Sequence, residues 1–207
     1  MKLLHIDSSI LGAGSASRAL SAQIVAAERQ LHPNIAIIYR DLAAEPGGQL
    51  SGAHLAAFQG ASPEAVALRA DIASGQAALE EFLASDIVVI GAPMYNFGIP
   101  SSLKAWFDYV LHPGVTFQYG EGAPKALLTG KRAIVILSRG GFYSDGPAKA
   151  YDSQEPHLRA LLGFIGITDV TFIYAERLAM GLQVQEAALA TATGEIERAV
   201  EACNAAA

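Results

Sequence analysis

Five short, nearly continuous apolar runs alternate strictly with helical stretches, and this alternation constrains the chain more than any other feature. The runs are residues 2–7, 35–40, 87–91, 132–138 and 168–174. Strands that are apolar along their whole length are buried on both faces, which requires a parallel sheet covered by helices on each side. Helical stretches at 16–31, 64–84, 102–111, roughly 153–164 and 185–203 supply those covers. The expected architecture is therefore α/β, a five-stranded parallel sheet with helices on both faces. A length of 207 residues suits one such unit, so residues 1–207 are read as a single domain. Residues 43–61 hold Gly47, Gly48, Gly52 and Gly60 and read as the one long irregular connection, with a short helix around 53–58. Residues 115–119 alternate at period two before Gly120 and Gly122, which predicts a small hairpin insertion. Ser62 and Pro63 read as a capped start for the third-strand-side helix, and Asp152 or Ser153 as the cap of the helix near 153.

Composition narrows the function classes. Apolar residues make up 52% and charged ones 16%, against about a quarter charged in an average domain, which excludes disorder and leaves surface for a second copy of the chain. Fourteen basic against twenty acidic residues, with no basic run, exclude a nucleic-acid partner. No apolar run approaches the ~18 residues of a membrane span, and the N-terminal stretch lacks the pattern of a signal peptide. The single cysteine, Cys203, allows no internal disulfide, and the compartment reads as cytoplasmic. His5, His32, His54, His112 and His157 show no paired ligand spacing, so no metal site is expected. His5 reads as a hydrogen-bonded core residue and His32 as a helix C-terminal one. Trp106, Phe107 and Tyr109 read as a packing face or a dimer seam.

In an open parallel sheet, ligands bind at the carboxyl ends of the strands. Three segments there are unusual. Residues 8–18 (SSILGAGSASR) combine four serines with Gly12 and Gly14 at a helix N-terminus, where free amides and the helix dipole suit a phosphate monoester. The plainer reading makes Ser15 or Ser17 an ordinary N-cap. No GK follows the glycines, which excludes a P-loop. The dinucleotide fingerprint has Ser17 in place of its third glycine, although Asp41 after the second strand could imitate the ribose-binding acid. Residues 93–98 carry Met94, Tyr95, Asn96 and Phe97, a mixture of π-faces, sulfur and amide that suits a flat heteroaromatic ring. Residues 138–141 (SRGG) end the fourth strand, and paired glycines let backbone amides approach a ring edge. Phe142 and Tyr143 follow, in a loop able to fold over a bound ring.

These segments, with APMYNFGIPSSLKAWFDYV (92–110), GVTFQY (114–119), TGKRAIVILSRGG (129–141) and LGFIGITDV (162–170), resemble the bacterial FMN-dependent NADH-azoreductase and quinone reductase family, which has a flavodoxin-like fold. The resemblance spans almost the whole chain. It implies that Ser9, Ser15, Ala16 and Ser17 hold the FMN phosphate, that Met94, Tyr95, Asn96 and Phe97 form the wall and edge of the isoalloxazine, and that Ser138, Arg139, Gly140 and Gly141 meet its pyrimidine side. It further implies a homodimer whose active sites lie at the subunit boundary, with Tyr119 and Phe164 lent to the partner's pocket and Tyr143 stacking on substrate. The implied enzyme uses NADH or NADPH to reduce quinones to hydroquinones and to cleave aromatic azo compounds to amines by a ping-pong mechanism. No protein side chain then acts as catalytic acid or base, because the flavin carries the chemistry. The competing expectations are a flavodoxin-type electron carrier and a flavin-free dinucleotide-binding dehydrogenase.

Overall fold

A computed structural model of the protein describes residues 1–204, with side chains described through residue 201. Strands β1 (Lys2–Asp7), β2 (Ala36–Asp41), β3 (Ile87–Pro93), β6 (Arg132–Ser138) and β7 (Asp169–Ala175) form one sheet in the order β2-β1-β3-β6-β7. Every neighbouring pair in it is parallel. The expected five strands are all present. β2 and β7 sit one residue later than the apolar runs suggest, and β3 continues through Pro93, which lies directly in register with Ser138 at the end of β6.

Alternation along the buried strands divides the core into two layers. Leu4, Ile6, Val88, Ile90, Ala133 and Val135 face one way, against α3 (Val66–Ala84), α4 (Ser101–Val110) and α5 (Gln154–Phe164). Leu3, Ile87, Val89, Ile134 and Ile136 face the other, against α1 (Ala16–Leu31) and α6 (Leu182–Asn204). Trp106, Phe107 and Tyr109 are buried within the chain, Trp106 edge-on to Phe82 at 5.4 Å, so the packing reading of α4 holds. His5 is buried, its Nε2 2.9 Å from Ser21 Oγ, and His32 closes α1. The backbone of Cys203 lies in α6; its side chain is outside the described residues.

Gly91 fixes how closely α1 lies on β3. A Cβ there would come 2.6 Å from Asp7 Oδ1 and 3.3 Å from the Ser17 carbonyl. Only glycine lets the start of α1 and the Asp7 carboxylate settle against the end of β3.

Three local expectations are corrected. α3 begins at Val66 with Ala65 before it and no side-chain cap, so Ser62 and Pro63 do not start the helix. The carbonyls of Pro63 and Glu64 accept instead from Arg69 Nη1, and Ala65 is extended. The hairpin insertion is present, but its first strand is shorter than residues 115–119: β4 (Phe117–Gln118) pairs antiparallel with β5 (Lys125–Ala126). Thr116 is drawn out of it because its hydroxyl donates to the Val110 carbonyl and accepts from the His112 amide. α6 starts at Leu182, three residues before the expected Gln185, just after Gly181. The remaining long connection carries α2 (Gly52–Phe58), close to the helix expected there. Asp152 caps α5, its Oδ1 accepting from the Gln154 and Glu155 amides.

Candidate active site

Strand order reverses between β1 and β3, and the three unusual segments all leave the sheet at or beside that point. Hydrogen bonds join them into one rim. The Tyr95 hydroxyl accepts from the Ile10 amide at 3.0 Å and lies 3.4 Å from Ser9 Oγ. The Met94 amide donates to the Ser138 carbonyl at 2.8 Å.

The first segment is a loop around a 3-10 turn, Gly12–Gly14, with Gly12 at φ 53. Residues 10–14 are exposed, whereas Ser9, Ser15 and Ser17 are buried. Ser15 is the N-cap of α1, its Oγ accepting from the Arg18 amide at 3.3 Å and lying 3.1 Å from Ser17 Oγ. The plainer reading of Ser15 as a cap is thus correct, and it does not compete with ligand binding. The amides of Ala16 and Ser17 precede the first possible intrahelical acceptor and remain available to an anion.

The second segment is a tight turn. Tyr95 and Gly98 exchange both backbone hydrogen bonds, at 3.0 and 3.1 Å, and Asn96 (φ 47) and Phe97 (φ 70) both adopt the left-handed region. That is a type I′ arrangement, for which Asn-Gly is the favoured pair. Phe97 in the second position costs about 1–2 kcal/mol, a strain of the kind that clusters at ligand sites. The turn presents Phe97 half-exposed, edge-on to Tyr143 at 5.9 Å and tilted against Tyr151 at 5.4 Å.

In the third segment the carbonyls of Arg139, Gly140 and Gly141 accept from the amides of Leu178, Ala179 and Arg177, at 3.1, 3.0 and 2.8 Å. Among the described residues, no protein acceptor takes the Gly140 or Gly141 amides. Met94, Asn96, Phe97, Gly140, Gly141 and Tyr143 line a cavity of about 300 Å³, within the size range of small-ligand pockets.

Arg139 differs from the other residues expected to meet a ring. Its side chain is fully buried and turned away from the cavity, donating to Gln154 Oε1 (2.8 Å), Glu176 Oε1 (3.0 Å) and Asp152 Oδ2 (2.9 Å). Gln154 continues to the Ala92 carbonyl at 2.8 Å, and Glu176 accepts from the Tyr143 and Ser144 amides and from Ser144 Oγ. Arg139 is therefore a tie between segments and not a wall of the pocket. Burial pushes the Glu176 carboxyl up, but the bonds from Ser144, Tyr143 and Arg139 outweigh it and hold the group below its ordinary value. Glu176, Asp152 and Gln154 were not legible as site residues. The one available signal was an acid directly after a strand's carboxyl end.

Tyr119 and Phe164 do not line the cavity. Both pack on Phe117, at 5.3 and 4.6 Å between ring centroids, and Tyr119 is 72% exposed. Asp41, the acid considered for ribose binding, is committed elsewhere: it holds Arg18 through both oxygens, at 2.6 and 2.7 Å, and its Oδ1 accepts from the Ala43 and Ala44 amides. The bond from Arg18 and those amides lower its carboxyl to about 2. Arg40 pairs with Glu81. Among the described residues no cluster of His, Cys, Asp and Glu has metal-holding geometry, and no helix is long and apolar enough to cross a membrane.

A doubly wound sheet with a serine-rich loop at the start of α1 and a cleft beside its switch point defines a flavodoxin-like protein. A family model described as flavodoxin-like fold matches residues 1–200, and the chain belongs to that family. It is 52% identical to the FMN-dependent NADH:quinone oxidoreductase of a Bradyrhizobium species, over 93% of this chain and 96% of the relative. It is 54% identical to FMN-dependent NADH:quinone oxidoreductase 2 of Bradyrhizobium diazoefficiens, over 93% and 95%. Among solved structures it is similar to the azoreductase of Bacillus anthracis strain Sterne, at TM-score 0.87 and 25% identity, over 97% of this chain and 98% of that one. The FMN-dependent NADH-azoreductase of the Ames Ancestor strain, solved in complex with FMN, shares the fold at TM-score 0.87 and 24% identity, over 98% of each chain.

Proposed function

We propose that this protein is an FMN-dependent oxidoreductase that uses NADH to reduce quinones to hydroquinones and to cleave aromatic azo compounds to amines. The observation that carries the reading is the joined rim: Tyr95 ties the serine loop to the β3 turn, and Met94 ties that turn to the glycine pair. One end of the rim offers unpaired amides for a phosphate and the other offers unpaired amides for a ring edge. That fits FMN in both chemistry and order. Identity of 52% and 54% to the two relatives, over 93% of the chain, supports the same cofactor and the same reductant.

Ser9, Ser15 and the amides of Ala16 and Ser17 would hold the phosphate. Met94, Tyr95, Asn96 and Phe97 would flank the ring, and the Gly140 and Gly141 amides would face its pyrimidine carbonyls. Bound FMN supplies the two-electron exchange between nicotinamide and acceptor. The chain's contribution is to orient: fixed amide dipoles favour negative charge on the ring edge without a titrating side chain, and Phe97 with Tyr143 shapes the face on which flat partners stack. One NADH and one proton convert a quinone to its hydroquinone. Two NADH and two protons convert an azo bond to two amines.

The same reading makes the working form a homodimer of single-domain chains (residues 1–207) in the cytoplasm. The dimer is supported by the exposed aromatic pair Tyr119 and Phe164, which does not line its own chain's cavity. Steady-state NADH oxidation by the FMN-loaded protein tests the enzyme. Varying NADH at several benzoquinone concentrations should give parallel double-reciprocal lines, with one NADH consumed per quinone and two per azo bond. Negligible turnover with intact flavin would instead indicate an electron carrier.

A further inference from the structure

Arg18 is a residue the family motif does not assign. It follows the last serine of the loop and stands in the first turn of α1. Its guanidinium donates twice to the Ser9 carbonyl, from Nε at 3.1 Å and Nη2 at 2.7 Å. Nη1 and Nη2 also grip the Asp41 carboxylate in a two-point pair, and Nη1 reaches the Tyr39 hydroxyl at 3.1 Å. Its own amide donates to Ser15 Oγ. One residue thus holds the entrance of the loop by a carbonyl and its exit by a hydroxyl, and is itself anchored on β2.

Between those two points the loop has little else. Ile10 and Leu11 are 72% and 63% exposed, so no side-chain burial fixes their backbone. Apart from the Tyr95 hydroxyl, the internal bonds are Leu11 to Ser9 Oγ, Gly14 to the Leu11 carbonyl and Ser15 to the Gly12 carbonyl. A loop whose amides must converge on one anion needs its ends fixed beforehand, because ordering it on binding reduces affinity.

Attraction by charge is a weak alternative for Arg18. Its guanidinium is matched by Asp41 and approached by Asp7 Oδ2 at 3.8 Å, and Asp7 also accepts from Tyr39 and Ser21. The cluster therefore presents no surplus positive charge to a phosphate. A planar fork is used here for geometry, which a lysine does not reproduce.

We infer that Arg18 is a positioning residue for the cofactor's phosphate: held by Asp41, it sets the Ser9–Ser15 loop in its anion-binding shape without contributing net charge to the ligand. The inference rests on the FMN reading above. Its specific consequence is that the loop matters to the phosphate and not to the ring.

Equilibrium titrations of the apoprotein with FMN and with riboflavin, which lacks the phosphate, followed by flavin fluorescence, test it. The parent should bind FMN. Failure there would reject the FMN reading itself, before any variant is considered. In Arg18→Met the Kd for FMN should rise about ten- to a hundredfold while the Kd for riboflavin stays within twofold. Arg18→Lys should resemble Arg18→Met, because the charge remains and the fork is gone. Asp41→Asn, a milder change that leaves the arginine in place, should raise the FMN Kd severalfold and again leave riboflavin alone. An equal rise for both flavins in Arg18→Met and Asp41→Asn would make Arg18 a general structural residue and overturn the inference. Full recovery of FMN binding in Arg18→Lys would overturn it differently, by making charge the operative property.

Discussion

The two ends of the rim are each held by an arginine, and they are held differently. At the serine loop, Arg18 and Asp41 remain 16% and 24% exposed in their side chains, and the arginine acts on backbone carbonyl and hydroxyl groups within its own neighbourhood. At the ring end, Arg139 is fully enclosed and Glu176 nearly so, and between them they connect the ends of β3, β6 and β7 and the start of α5. The first is a local clamp in moderately screened surroundings. The second is a buried network shared by four segments. Partly solvated pairs contribute little to global stability, whereas removing one member of a buried network leaves the others uncompensated. The serine loop can therefore loosen without unfolding the sheet, while the Gly140–Gly141 turn is rigid with the core.

Breaking the buried network should have the largest effect. Arg139→Met leaves Glu176 and Asp152 without their cation and should lower unfolding stability by about 3–5 kcal/mol, measured by chemical denaturation. A loss under about 1 kcal/mol would place the two arginines on an equal footing.

Glu176→Gln keeps an acceptor for the Tyr143 and Ser144 amides and removes the charge. A loss of about 1–2 kcal/mol at neutral pH is expected. Because the folded carboxyl lies below its ordinary value, its contribution is complete above the unfolded value, about 4.3, and is lost as pH falls through the folded one. The parent should therefore destabilise more steeply than Glu176→Gln on acidification below about pH 5. Parallel acid limbs would show that the charge of Glu176 is immaterial.

Tyr95→Phe removes the single hydroxyl that joins the two ends. A lost hydrogen bond of this kind is worth about 1 kcal/mol, so the Kd for FMN should rise about fivefold with the melting temperature nearly unchanged. An unchanged Kd would mean that the serine loop needs no brace from the β3 turn.

Acid titration of the outer clamp should be the smallest effect. Asp41 is lowered to about 2 chiefly by its bond from Arg18, so its contribution is present above about pH 4 and disappears as pH falls toward 2. For a partly exposed pair this amounts to less than about 1 kcal/mol. Comparing Asp41→Asn with the parent by thermal unfolding between pH 2 and pH 5 checks it, and a larger difference would indicate a clamp as buried as the inner one.

The layered sheet was readable from the chain because buried parallel strands are written as local apolar runs, and the three rim segments because serine, glycine and aromatic residues at strand ends have local meaning. The two arginine networks were not. Arg18 finds Asp41 across 23 positions and Arg139 finds Glu176 across 37, partners that only the strand order brings together. For Arg139 the motif located the right turn, but only the fold shows that the side chain leaves the cavity for the core. The start of α3 escapes a local reading for a related reason: Arg69 captures the carbonyls of Pro63 and Glu64, and no local pattern announces that.

On the proposed reading, three separately encoded turns form one flavin seat. Isothermal titration of the apoprotein with FMN tests it most directly. The structure predicts saturable binding of one FMN per chain, weakened by Tyr95→Phe. Heat signals that fail to saturate, or a stoichiometry well below one on fully folded protein, would contradict it.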